Sequence, residues 1–156
     1  MNSKGFSLVE LIVVLGMLAT ASGVAMINFS GYSVEHRGIS QDAQILASSI
    51  RYAQQMSTQG RATQILPGTY GFTIRARIPN PIYANNQIMA DIERHYFSDN
   101  VTFDTGTLYG NVIRFTNRGT LSYRSYTVHL NSPNYRVSLT TTIGGGRVNI
   151  GAIYQR

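Results

Sequence analysis

Three histidines, seven carboxylates and twelve arginines are the side chains of this chain with chemistry to offer. His36, His95 and His129 stand far apart in sequence. None belongs to an HxxxH or HExxH pair, the spacing that sets two imidazoles on one helix face for a metal. His95 lies near Asp91 and Glu93, which alternate strand positions or a loop produce by chance, so it reads as a surface histidine beside acid. The carboxylates are scattered, and no two are spaced as an acid/base couple. Gly144-Gly145-Gly146 lacks the Lys-Ser/Thr and the following helix of a phosphate cradle, and reads as a hairpin turn. The chain has no cysteine, so thiolate catalysis, disulfides and cysteine metal sites are excluded. The expectation is a protein that is not an enzyme and uses no metal or other cofactor.

The arginines carry a second chemistry. Arg75, Arg77, Arg114, Arg118, Arg124, Arg136, Arg147 and Arg156 cluster toward the C-terminus, with Tyr123, Tyr126, Tyr135 and Tyr154 beside several of them. Guanidinium groups interleaved with aromatics can grip a phosphate backbone and stack on bases. The formal net charge is +6. A modest excess of this kind also suits anionic lipid or a plain solvated surface.

Glu10 is the most unusual placement. It stands at the entry to an apolar run, and residues 11–29 then carry no formal charge. At about 1.5 Å per residue this run spans roughly 28 Å, close to a bilayer core of about 30 Å. A core helix in a protein of this size is seldom apolar on every side. A secretory signal is the competing reading, with Ala19-Thr20-Ala21 as a small-residue cleavage site. Against it, the basic region holds only Lys4 and the run exceeds the usual length. Three explanations of Glu10 stay open: solvation at the head-group level, a carboxylate favoured by the helix dipole, or a cation supplied by another subunit.

The string Lys4-Gly5-Phe6-Ser7-Leu8-Val9-Glu10-Leu11-Ile12 resembles the prepilin signature of type IV pilins and type II secretion pseudopilins. The resemblance covers about the first 25 residues. It implies that a prepilin peptidase cuts after Gly5, that the new N-terminal Phe6 is N-methylated, and that Glu10 pairs with the Phe6 amine of a neighbouring subunit during assembly. It further implies other pilin or pseudopilin subunits, an inner-membrane assembly platform and membrane lipid as partners. The chain would be a single-pass inner-membrane protein with an extracytoplasmic C-terminal domain, drawn into an extracellular or periplasmic filament. Many major pilins carry a proline at the position of Ile27; this chain has Gly16 and Gly23 in the helix instead.

The elements that must carry these residues follow from periodicity. With 156 residues, there is room for one globular domain and one long accessory element. Ile39, Ala43, Leu46, Ile50 and Ala53 form one apolar helical stripe, and Gln41, Gln44, Ser48, Arg51 and Gln55 point away from it. One helix is expected from about residue 6 to about residue 59, with Gly31 and Gly38 as places to bend or interrupt it and Gly60 as its stop. Strands are expected at 63–66, 70–77, 92–97, 111–116, 120–123, 126–131, 135–142 and 147–154, with a loop at 78–90. The fold class is α+β: a long N-terminal helix, its first half membrane-spanning, packed by its second half on one face of an antiparallel β domain. The segments are a leader at 1–5, a spanning helix at 6–29, an amphipathic helix at 30–60 and the β domain at 61–156.

Leu46-Ala47-Ser48-Ser49-Ile50-Arg51-Tyr52-Ala53, Thr58-Gln59-Gly60-Arg61, Ile113-Arg114-Phe115-Thr116-Asn117-Arg118-Gly119 and Gly146-Arg147-Val148 are similar to the H-type pseudopilins and the FimT-like minor pilins. The leading function is therefore a structural minor pilin or pseudopilin. The alternative is a DNA-binding minor pilin that takes part in DNA uptake, with Arg147 and Arg156 as contacts. FimT-like pilins carry a Gly-Arg-x-Arg element; here it reads Gly146-Arg147-Val148-Asn149, and Asn149 replaces the second arginine.

Overall fold

One α-helix, α1, runs unbroken from Leu8 to Thr58. The computed structural model describes residues 8–79, 82, 87–122, 124–142 and 147–156, with the side chains of residues 24–33 and 109 outside that description. The chain divides into two units, Met1–Glu35 and His36–Arg156, and α1 contributes to both.

Within the second unit, the apolar stripe of α1 is fully sequestered. Ile39, Ala43, Leu46, Ile50 and Ala53 are each at most 1% exposed. Gln41, Gln44, Ser48, Arg51 and Gln55 face solvent, as a 3.6-residue period requires. α1 is not interrupted at Gly31 or Gly38. At Gly38 a Cβ would sit 3.3 Å from the Ser98 side chain, so the missing methyl lets another segment approach the helix. α1 stops where expected: Gly60 has φ +83° and its N–H donates to the Ser57 carbonyl at 3.1 Å. This is the left-handed glycine that closes a helix C-terminus.

The rest of the unit is antiparallel β-structure: β1 (Thr63–Gly68), β2 (Gly71–Pro79), β3 (Gln87–Tyr96), β4 (Thr102–Asp104), β5 (Ile113–Arg114), β6 (Tyr126–Asn131), β7 (Tyr135–Thr141) and β8 (Val148–Gln155). They form two four-stranded sheets, ordered β3-β2-β1-β5 and β4-β6-β7-β8. β6 and β7 alternate buried and half-exposed residues, and their inward set joins one core with Ile65, Phe72 and Ile74 of the first sheet and the α1 stripe. The sequence reading laid that stripe on one sheet face; the core it enters draws on both sheets. Full burial of a residue such as Leu46 or Ile50 stabilises the fold by about 1.5–3 kcal/mol.

Four expectations are corrected. The loop at 78–90 is shorter, because Ile78 and Pro79 pair with Ile88 and Gln87. Proline is tolerated at Pro79 because β1 reaches only Ala76 on the other side of β2, leaving no ladder bond there for the missing N–H to make. The strand expected at 63–66 runs two residues further, and the hairpin between β1 and β2 turns at Thr69-Tyr70, since Gly68 still pairs with Gly71. The strand at 111–116 shrinks to two residues, and 120–123 contributes a single bridge, Phe115 to Leu121; Tyr123 lies outside the described residues. β4 has no counterpart in the sequence reading. Its three residues lack enough length to show a period, and its register against β6 creates it.

Candidate assembly site

The N-terminal part of α1 is apolar around its whole circumference. Leu11, Ile12, Val13, Val14 and Leu15 are consecutive, so they point in every direction around the axis, yet each is at least 50% exposed. Leu8, Val9, Met17 and Leu18 extend the same uncovered surface. A contiguous apolar surface of this kind marks a membrane or protein contact. Within it the Thr20 hydroxyl donates to the Met17 carbonyl at 2.9 Å, which satisfies it without water. Glu10 is exposed in the first turn of the described helix, where the dipole favours a carboxylate. Among the described residues, no helix is long and apolar enough to cross a membrane. The span read at 11–29 runs into residues whose side chains are not described. Gly5 and Phe6 also lie outside the described residues.

The arginines singled out for DNA do not converge. Arg147 and Arg156 are both exposed, but they flank opposite ends of β8, which is eight residues long. At about 3.3 Å per residue they stand on the order of 30 Å apart along the strand. Arg75 and Arg94 both engage the Asp91 carboxylate, and Arg136 reaches Asp104 at 3.3 Å. The hydrogen bond from Arg75 is the largest cause holding the Asp91 carboxyl below its usual range.

The histidines also separate. The His36 and Tyr135 rings pack in a T-shape, their centroids 5.2 Å apart. His129 shares a 2.9 Å hydrogen bond with the Ser138 hydroxyl; burial, then the nearby Arg136, pushes its pKa down against the opposing pull of Asp104. His95, read as a surface histidine beside Asp91 and Glu93, is half-buried, and it is parted from Asp91 while Glu93 keeps to its face of the strand. The β2–β3 register shifts between Ile74 and Arg75, and such a bulge reverses which face successive side chains take. Asp91 therefore stands opposite outward-facing Arg75, and His95 stands opposite buried Phe72. The His95 ring packs near Phe72 and Phe97, and its Nε2 lies 3.8 Å from Asp42 Oδ1. Among the described residues, no three histidine or carboxylate side chains gather to hold a metal.

Asp42 is the buried acid that sequence reasoning missed. It is 2% exposed and accepts a 2.8 Å hydrogen bond from the Ser98 N–H, tying α1 to the turn after β3. The signal was available: Asp42 stands three residues after Ile39 and four before Leu46, on the edge of the apolar stripe. A lone acid there must find a donor.

Residues 1–26 match the family model of the prokaryotic N-terminal methylation motif. No curated protein and no solved structure matches the chain. The matched segment, which runs into α1, and the antiparallel sheets that follow the helix are consistent with a type IV pilin-like protein. The motif implies processing by a prepilin peptidase and assembly with other pilin subunits, and it points to a structural subunit rather than an enzyme.

Proposed function

We propose that this chain is a minor pilin or pseudopilin, a structural subunit of a type IV pilus or type II secretion filament. The observation that carries the reading is the methylation motif at residues 1–26 on a helix whose apolar side chains from Leu8 to Leu18 are exposed. Residues 1–5 are the leader, removed by cleavage after Gly5, and the exposed Phe6 amine is N-methylated. Residues 6–29 hold the subunit in the inner membrane and later in the filament core. Residues 30–60 carry the β domain, 61–156, on the extracytoplasmic side. On assembly the Glu10 carboxylate meets the Phe6 amine of a neighbouring subunit, and in a low-dielectric core that pairing sets axial register. Leaving either charge buried without its partner costs about 3–5 kcal/mol.

Mass spectrometry of the native N-terminus tests the processing, with N-methylated Phe6 as the expected start. A product beginning beyond residue 20 sinks the reading, because the apolar segment would have been discarded as a signal.

A role in DNA uptake is the weaker alternative. Exposed Arg147 favours it, while the separation of Arg147 from Arg156 and the presence of Asn149 weigh against it. Salt-dependent DNA binding by the purified subunit, reduced in Arg147→Ala with a shallower salt slope, is the result that would revive it.

A further inference from the structure

The β unit contains a cavity of about 650 Å³ that takes its walls from both sheets. Ile113 of β5, Leu121 and Tyr126 of β6 are buried and line it, joined by Leu108 and Val112. The lining is preformed. Thr107 is tied to Thr127 twice, its N–H to the Thr127 carbonyl at 3.1 Å and its hydroxyl accepting the Thr127 N–H at 2.9 Å. Ser122 N–H donates to the Arg114 carbonyl at 2.9 Å, folding residues 115–122 back beside β5. A volume of this size lies within the range of about 300–1,000 Å³ typical of small-molecule sites.

Arg114 and Arg124 complete the lining and are exposed to solvent. Elsewhere on this unit Arg75, Arg94 and Arg136 each meet a carboxylate, whereas none of the described residues forms an ion pair with Arg114 or Arg124. Two guanidinium groups beside an apolar wall select an anion with an apolar body, and the planar fork favours a carboxylate. Tyr126 adds a buried hydroxyl that lies beside the Thr141 side chain.

We propose that this cavity binds a medium-chain fatty carboxylate, its hydrocarbon against Leu108, Val112, Ile113 and Leu121 and its head group at Arg114 and Arg124. A peptide fits less well. Its amides would have to leave water for the wall formed by Leu108, Val112, Ile113 and Leu121, a desolvation cost that a hydrocarbon chain does not incur. The inference is independent of filament assembly.

The test uses the full chain in a nonionic detergent, with octanoate as probe and the methyl resonances of Leu108, Val112, Ile113 and Leu121 as readout. Octanoate is expected to shift those methyls saturably, with octanol at least tenfold weaker. Arg114→Gln combined with Arg124→Gln should raise the octanoate Kd at least tenfold while the Ile39 methyl stays in place, which verifies the fold. Three results overturn the proposal: no saturable shift, equal binding of octanol, or unchanged binding in the double variant. A fourth is saturation by a tripeptide ending in leucine with a free carboxylate where octanoate fails. Each leaves the subunit reading intact, since that reading is measured by N-terminal processing and filament incorporation.

Discussion

Gly119 shows how much a single backbone position can carry. Its φ is +72°, and a Cβ there would lie 2.6 Å from the Thr58 methyl at the end of α1. Gln54 donates to its carbonyl at 3.3 Å, so the turn at 116–119 docks on the helix through a residue without a side chain. Gly119→Ala is expected to lower stability by about 1–3 kcal/mol through strain and overlap together. In urea the midpoint should fall with an unchanged slope; an unmoved midpoint refutes this account. His129 supplies a pH dependence. Its folded pKa lies below the ordinary 6.5, so on acidification the unfolded chain takes up a proton first. Stability should therefore decline as pH falls from 6.5 toward the folded value, and rise in the opposite direction. Urea midpoints at pH 7.5 and 5.5 should differ less in His129→Gln than in the parent; an equal difference would assign the dependence to another group. At this scale the sequence showed residue types but not partners. The neighbours of His95 were misread because the β2–β3 bulge reassigns faces, and a bulge leaves no mark on residue spacing.

Among the elements, α1 contains both kinds of apolar surface. Leu46 is fully buried, whereas Leu18 is 58% exposed. Leu46→Ala should destabilise the β unit by about 2–5 kcal/mol, as removal of a packed side chain does. Leu18→Ala should leave thermal unfolding of that unit unchanged and reduce incorporation into filaments. If both variants behaved alike, the division of the helix into a packed and an assembling part would be wrong. The helix stripe was legible because five residues at spacings of three and four repeat one direction over several turns. The strands were legible where alternation persisted, as in β6 and β7; β5 was read too long and β4 was not read at all. Elements of two or three residues exist only through a neighbour's register, so their own residues do not announce them.

For the molecule as a whole, the decisive experiment concerns Glu10. Glu10→Ala should insert in the membrane normally and fail to enter filaments, read by fractionation and by immunoblot of sheared filaments. Normal incorporation would remove the carboxylate from any register role. The sequence by itself determined the methylation motif, the helical stripe and the α+β order, because these are written in consecutive or regularly spaced residues. Only the tertiary structure decided that Asp42 meets Ser98 and His95, that Arg147 and Arg156 stand apart, and that Arg114 and Arg124 share one cavity. Those relations join segments distant in the chain, and their geometry is set by strand register and core packing, which no local pattern of residues encodes.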